Sequence, residues 1–313
     1  MPSAGSGLQI AVTGRLSPEQ VAQIVEIFGA ATQTDGVRPL SEHVWLHLRY
    51  GGDELARNAI ANLDGKIIGY GHLDLTDIVE GPSAEVVVAP DYRNKGVGRA
   101  LVSAIVQETS GRGLRLWAHG EHPAAAQMAK ALGFERSRCL WQMRRSLFAA
   151  LPDIRLPVGV AIRTFRPGVD DEDWVRLNAR AFAGHPEQGN WTIDDLHRRM
   201  RESWFDPAGF FLAMRGDRLV GFHWTKIHGG DDGSQHGHEP IGEVYVVGVD
   251  PQEQGTGLGT ALTIAGLEHL RDAKLPQAML YVDESNSAAI KVYTNLGFTH
   301  WDTDVMYRLA PTS

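Results

Sequence analysis

Gly242-Glu-Val-Tyr-Val-Val-Gly-Val-Asp-Pro-Gln-Glu-Gln-Gly-Thr-Gly-Leu-Gly259 reads as a β-branched strand, a proline step, a turn crowded with glycine, and the start of a helix continuing with Thr260-Ala-Leu. The same order occurs earlier as Ala84-Glu-Val-Val-Val-Ala-Pro-Asp-Tyr-Arg-Asn-Lys-Gly-Val-Gly98, followed by Arg-Ala-Leu. Pro90 aligns with Pro251 and Gly98 with Gly259, and Lys130-Ala-Leu-Gly-Phe134 answers Asn295-Leu-Gly-Phe298 further on. Two copies this far apart mean a duplicated domain, since a solenoid needs several short repeats. Between the copies, Leu147 to Val160 has Pro152 and Pro157 and no clear period, so the halves are read as 1–150 and 151–313.

Each half carries the same succession of elements. In the first, Ser17-Pro18 opens a helix running to about Gln33, with serine as cap and proline in the first turn. Strands are expected at 56–63, 67–75, 84–89, 113–118 and 138–145, with helices after Gly96 and over 123–132. In the second, strands are expected near 160–165, 210–215, 218–227, 242–249, 277–282 and 303–309, and helices near 171–183, 192–202, 257–272 and 286–296. The fold class is therefore α/β (α+β): two tandem domains, each a mixed, mostly antiparallel sheet flanked by helices.

Composition narrows the function classes. Apolar residues make up 43% and charged residues 22% of the 313, the balance of a globular chain with ample core. The formal charge of -8, from 30 basic and 38 acidic residues, gives no basic face for nucleic acid. No apolar run reaches the roughly 20 residues that span a bilayer, and the start, MPSAGSG, lacks the charged and apolar regions of a signal peptide. The one cysteine, Cys139, excludes an internal disulfide and a multi-thiolate zinc site, and it reads as a buried thiol in a strand. A cytoplasmic monomer without metal is expected.

A strand, a glycine turn and a helix make an anion site, because the first N–H groups of the helix are unpaired and glycine brings no Cβ between backbone and phosphate. Neither turn is a Walker motif, and neither has the spacing of a dinucleotide fingerprint. Taken alone, such a turn is more often structural.

The pattern Arg/Gln-x-x-Gly-x-Gly after a valine-rich strand resembles the acetyl-CoA motif of the Gcn5-related N-acetyltransferases (GNAT). Tyr281-Val-Asp-Glu-Ser-Asn-Ser-Ala-Ala-Ile-Lys-Val-Tyr-Thr-Asn-Leu-Gly-Phe298 is similar to that family's last helix. Phe182 to Trp191, Gly221 to Lys226 and Gly242 to Pro251 resemble one actinobacterial branch, whose acceptor joins cysteine, glucosamine and inositol. The resemblance implies acetyl-CoA as co-substrate, bound at Val86, Val87, Val88, Arg93, Asn94, Lys95, Gly96, Val97 and Gly98 in the first half. In the second it implies Val247, Gly248, Val249, Gln254, Gly255, Thr256, Gly257, Leu258, Gly259 and Thr260, with Asn286, Ser287, Ala288, Ala289, Ile290 and Lys291. For the small-molecule acceptor, the cysteinyl-glucosaminyl-inositol amine, it implies Glu42, Glu187, Lys226, Glu243 and Tyr281. Glu42 reads equally as a solvated charge on a helix. The turn at Gln254 lacks the basic residues common in that slot, so phosphate grip there would rest on backbone N–H groups.

The family's chemistry is attack of an amine on a thioester, which needs a neutral amine and help for the departing thiolate. Glu243, on the strand feeding the turn, is placed as base, and a cysteinyl α-amine with a pKa of at most about 8 asks little of it. Tyr293 lies seven residues after Asn286, on the same helix face, where the family's tyrosine serves the leaving sulfur. Taken alone it would read as a core aromatic. In the first half, counting back from the aligned prolines puts Pro82 opposite Glu243, and Ala129 replaces Tyr293. Glu85 comes three positions later and is expected to face the other way unless a bulge intervenes. The first half is thus expected to hold acetyl-CoA without chemistry.

Three features are set aside. His228 to Glu239 has metal-ligand residue types but reads as a glycine-rich loop between strands, Trp204-Phe-Asp-Pro207 as a packed turn, and Cys139 as structural. Two other functions remain open: a tandem acetyltransferase acting on another small-molecule or peptide amine, and an acetyl-CoA-binding sensor without turnover.

Overall fold

A computed structural model describes residues 7–51, 55–77, 81–184, 186–228 and 240–312, with no side chains described at 186–187. The chain divides into two compact units, one of Met1–Leu140 with Asp302–Ser313 and one of Trp141–Trp301.

The first unit begins with β1 (Leu8–Thr13), α1 (Pro18–Asp35), α2 (Glu42–Tyr50), β2 (Arg57–Leu63), β3 (Lys66–Asp74) and β4 (Ser83–Val88). It continues with α3 (Val97–Glu108), β5 (Leu114–Ala118), α4 (Pro123–Ala131) and the start of β6 (Glu135–Ser146). The second contains the end of β6, then β7 (Val160–Thr164), α5 (Asp171–Ala181), α6 (Pro186–Gly189), α7 (Ile193–Met200), β8 (Phe210–Arg215) and β9 (Arg218–His228). After these come β10 (Ile241–Val249), α8 (Leu258–Asp272), β11 (Gln277–Asp283), α9 (Ser287–Asn295) and β12 (Thr299–Leu309), whose residues from Asp302 onward belong to the first unit.

Strand order is β1-β2-β3-β4-β5-β12 in the first unit and β6-β11-β10-β9-β8-β7 in the second. The outer strands are antiparallel, and β4–β5 and β10–β11 are the parallel pairs. The compact units thus differ from the halves 1–150 and 151–313. The last strand of the second half pairs with β5 through Val305↔Ala118 to Leu309↔Leu114, and Trp141 onward, the end of the first half's last strand, lies in the second unit. The linker prolines mark where the duplicated sequence ends, while hydrogen bonding decides where each sheet ends.

Local signals behave as their chemistry predicts. Ser17 accepts from the Gln20 amide while the Gln20 side chain accepts from the Ser17 amide, starting α1, and Gly36 stops it at φ 73°. Ile24, Ile27 and Ala31 then line one buried face, packed with Val44, Leu48, Tyr70 and Val87. On the other face of that sheet, Leu101, Ile105 and Ala129 pack on Ile68 and Ala84. In the second unit, Trp174, Leu177, Leu196 and Phe222 form one layer, with Phe210 stacked on Trp224 at 4.5 Å and 8°. Ile264, Leu267, Leu270 and Phe298 form the other. Cys139 is buried, as expected, and accepts from Arg136 Nε at 3.1 Å. Among the described residues no helix is long and apolar enough to cross a membrane.

Candidate active site

The parallel pair β10–β11 is joined only at Gly242↔Ala278 and Glu243↔Met279, and beyond these residues the nine-residue β10 and seven-residue β11 run on without pairing to each other. That leaves the β11-facing backbone groups of Val247 to Val249 available to a ligand lying between the strands. β10 then runs into the turn, where Gly255 (φ 77°) and Gly257 (φ 86°) are left-handed and a Cβ on either would meet nothing within 4 Å. Gly257 caps α8 with no side-chain hydrogen bond, so no capping side chain takes the first amides of α8 and an anion can be held there. Gln254 and Thr256 are exposed beside it, Leu258 is buried under it, and Gly259 and Thr260 are half-buried on the first turn. Thr256 Oγ1 donates to the Glu253 carbonyl at 2.7 Å, which tightens the turn.

The first unit repeats this arrangement with different details. Its parallel strands pair over Ser83↔Arg115 to Glu85↔Trp117. Asn94 (φ 58°) takes the left-handed position filled by Gly255, and Gly96 (φ 85°) that of Gly257. The Arg93 guanidinium makes two 2.7 Å bonds to the Asp35 carboxylate, and Lys95 Nζ donates to the Asp91 carbonyl at 2.8 Å. The basic side chains of this turn are therefore engaged by the protein itself, and Val86 to Val88 with Val97 and Gly98 present the same strand-to-helix path.

Glu243 is buried on β10, directly across from Lys226 on β9, and its Oε2 accepts from His228 Nε2 at 2.6 Å. Lys226, also buried, places its ammonium 4.3 Å above the Trp204 ring and 5.2 Å from that of Tyr245. Tyr245 in turn accepts from Arg199 Nε at 2.8 Å, and Arg199 lies 3.6 Å over the Trp191 ring. Carboxylate, ammonium and aromatic faces thus share one side of β9–β10.

A bulge between Val244 and Val246 adds one residue to β10. Val249 pairs with Gly221 as Val88 pairs with Gly69, and Glu243 pairs with Lys226 as Ser83 pairs with Asp74. The residue equivalent to Glu243 is therefore Ser83, and the count that put Pro82 there is corrected by the extra residue. Glu85 stands two residues from Ser83 on an unbulged strand, so it shares the face of Glu243 instead of opposing it. It has a different task. Its carboxylate accepts from the Ser41 amide at 2.5 Å and the Ser41 hydroxyl at 2.6 Å, and lies 3.2 Å from His119 Nε2.

His119 Nδ1 is 2.9 Å from Asp304, which also accepts from the Gly120 amide. Burial opposes charge on this imidazole, but Asp304 and Glu85 outweigh it and lift its pKa to about 10. Burial likewise works against Glu85, but the charge and hydrogen bond of His119, with the bonds from Ser41, hold it at about 2. Glu42 follows this anchored cap as the first residue of α2.

Tyr293 lies on α9, half-buried, its ring 5.9 Å from Phe298, and burial pushes the phenol up to about 12. Its counterpart Ala129 is core, leaving no group there in the first unit. Asn286 caps α9 by accepting from the Ala289 amide at 3.1 Å, so its side chain begins the helix on which Ser287 to Lys291 are carried. Tyr281 is exposed on β11 and accepts from Gln142 Nε2 at 2.8 Å. The Glu187 side chain lies outside the described residues, as does most of the histidine-rich stretch after His228. Sequence reading passes over Arg199, Tyr245 and Gln142, assigns His228 to a glycine-rich loop where the structure has the last residue of β9, and takes Trp204 only as packing. The register of β9 against β10 is what brings His228 and Trp204 to the carboxylate and the ammonium.

A strand that parts from its parallel neighbour and a glycine turn opening a helix define an acyl-CoA site, and family models agree. The Acetyltransferase (GNAT) family model matches residues 172–298 and the Acetyltransferase (GNAT) domain model residues 54–136. The chain belongs to the GNAT acetyltransferases, which use acetyl-CoA as co-substrate. Mycothiol acetyltransferase of Acidothermus cellulolyticus is 59% identical over 317 residues, covering 98% of this chain and 97% of that protein. Those of Streptosporangium roseum and Thermobispora bispora are 56% and 53% identical, covering 94% and 96% of this chain and 97% and 100% of their own. Within the GNAT proteins, the chain belongs to the mycothiol acetyltransferases.

Among solved structures, a tandem GNAT protein from the clavulanic acid biosynthesis pathway covers 98% of this chain and 100% of its own, with a TM-score of 0.72 at 19% identity. A GCN5-related N-acetyltransferase from Sphaerobacter thermophilus covers 96% and 95%, with a TM-score of 0.68 at 22% identity. Both share the fold.

Proposed function

We propose that the chain transfers the acetyl group of acetyl-CoA to the cysteinyl amine of cysteinyl-glucosaminyl-inositol, giving mycothiol and CoA, and that the second unit performs the transfer. The observation that carries this reading is Glu243, buried and bonded to His228 at 2.6 Å on the strand that feeds the glycine turn. Its carboxylate removes a proton from the acceptor ammonium through water. The freed nitrogen attacks the thioester carbon, with unpaired β10 amides as donors to the developing oxyanion. The carbon–sulfur bond then breaks, and the CoA thiolate leaves beside Tyr293 and takes up a proton. Lys226, Tyr281, Glu187 and Glu42 are assigned to the hydroxyl-rich acceptor, and the aromatic faces of Trp204 and Tyr245 suit its sugar. In the first unit, the glycine turn supports acetyl-CoA binding without transfer, since Glu85 is committed to Ser41 and His119. The cytoplasm, the reducing compartment that suits one free thiol, is assigned as its location.

The test mixes purified protein with acetyl-CoA and the acceptor and follows CoA release and the acetylated product by mass. Product from the native chain is expected, with a fall of about 10²–10⁴ in kcat for Glu243→Gln while CoA binding persists. Turnover with other amines but none with this acceptor would overturn the acceptor assignment. Full activity in Glu243→Gln would overturn the base.

A further inference from the structure

One face of the first unit gathers three imidazoles and a carboxylate that acetyl transfer does not use. His43 and His47 stand four residues apart on α2 and leave the same face of the helix one turn apart. His72 and Asp74 stand two apart on β3 and share a face of that strand. The ring centroids of His43 and His47 lie 4.2 Å apart, and those of His47 and His72 5.0 Å. One ligand atom from each of the three histidines lies within 4.8 Å of the other two. His43 Nε2 is 3.2 Å from Asp74 Oδ2, and the other Asp74 oxygen is fixed by the amide and hydroxyl of Thr76 at 2.8 and 2.7 Å.

A hydrogen-bonded chain decides which nitrogen of His72 is available. Asn58 Nδ2 donates to the carbonyls of Thr13 and Gly14 at 3.4 and 3.5 Å, which leaves Oδ1 for Tyr70. The single hydroxyl hydrogen of Tyr70 goes to that oxygen at 2.8 Å. Toward His72 Nδ1, 3.3 Å away, the Tyr70 oxygen can only accept, so the ring proton sits on Nδ1. His72 Nε2 then carries a bare lone pair, and this buried atom has no hydrogen-bond partner among the described residues. Outer hydrogen bonds that fix a tautomer in this way are how proteins prepare an imidazole to bind a metal.

We propose that His43, His47, His72 and Asp74 form a binding site for a divalent transition-metal ion, zinc foremost. Three imidazoles and one carboxylate from two facing elements are a tetrahedral zinc donor set. Zinc–nitrogen bonds of about 2.0–2.1 Å require ligand nitrogens about 3.3 Å apart, so the rings close by up to about 1.5 Å on binding. The side chain of His43, 49% exposed, provides both that movement and the way in from solvent. The ion ties α2 to β3 directly behind Glu42. This departs from the expectation of no metal, because only the packing of α2 against β3 unites the four ligands.

The test is calorimetric titration of chelator-treated, full-length protein with Zn²⁺, in a His236→Gln/His238→Gln background that removes competing histidines. One zinc per chain with micromolar or tighter affinity is expected, together with a higher melting temperature and, with Co²⁺, the visible absorption of a four-coordinate site. Because His43 is half-exposed, His43→Gln is expected to keep the fold by circular dichroism while weakening zinc at least tenfold. Asp74→Asn is expected to weaken it likewise. No stoichiometric zinc uptake, or uptake as strong in His43→Gln as in the parent, overturns the proposal.

Discussion

The base proposed at Glu243 is held by its neighbours. His228 holds one of its oxygens at 2.6 Å, and Lys226 faces it across the ladder while resting on two aromatic rings. His228→Gln should therefore lower kcat by about tenfold with little change in acetyl-CoA affinity, measured by steady-state kinetics and calorimetry. Tyr293 presents a different balance. With its phenol at about 12 and a thiol near 8.5, full proton transfer to the departing sulfur is uphill by about 5 kcal/mol. In the proposed mechanism its help is therefore a hydrogen bond to the thiolate, worth about 1–2 kcal/mol. Tyr293→Phe is thus expected to cost about tenfold in kcat and leave the pH profile of kcat unchanged, whereas loss of an alkaline limb would show that the phenol itself delivers the proton. Glu243 and Tyr293 are both legible in the sequence, one beside the glycine turn and the other a fixed distance along the last helix. His228 is hidden at the edge of a glycine-rich stretch, and the bulge near Tyr245 is invisible to counting back from Pro251.

Among the elements, α8 shows two glycines with opposite duties. At Gly257 an added Cβ meets open space but a φ of 86°, while at Gly266 it would lie 2.0 Å from the His223 ring. That ring is locked on the helix by Nδ1 donating to the Leu262 carbonyl at 2.7 Å. Gly257→Ala should cost about 1–2 kcal/mol from backbone strain and weaken acetyl-CoA binding. Gly266→Ala should cost about 1–3 kcal/mol through overpacking, with acetyl-CoA affinity unchanged in the folded fraction. Denaturant titration and calorimetry separate the two.

Helix α2 depends on charge as well as packing. The His119 pKa is raised from 6.5 to about 10, so its stabilising contribution is full below pH 6.5 and disappears as pH rises through 10. Glu85 is depressed from 4.5 to about 2, and its contribution is full above pH 4.5 and lost toward pH 2. The denaturation midpoint of the first unit should fall between pH 6.5 and 10, and this fall should be absent in a Glu85→Gln/His119→Gln variant. Element reading from sequence succeeds where period and cap agree, as in α1 and α8. It misses β1, an edge strand with no buried residue, and α2, where a histidine, His47, occupies a buried position.

At the scale of the whole molecule, the duplicated halves and the folded units are not the same objects. The first unit is closed by Asp302–Ser313, and with them comes Asp304, a partner of His119. The repeat is plain in the sequence, whereas this exchange is not, because it rests on long-range pairing of β12 with β5 that local period and composition do not encode. A fragment of residues 1–150 is expected to be largely unfolded by circular dichroism, and a peptide of residues 299–313 should restore its structure. A stable, cooperatively melting fragment without the peptide would contradict this.

The exchange also sets an order of events in the cell. The half that leaves the ribosome first must wait, its sheet one strand short, until Val305–Leu309 are made and can pair with β5. A chain stopped before β12 therefore leaves the edge of β5 without this strand, its backbone donors and acceptors open to any other strand that reaches them first.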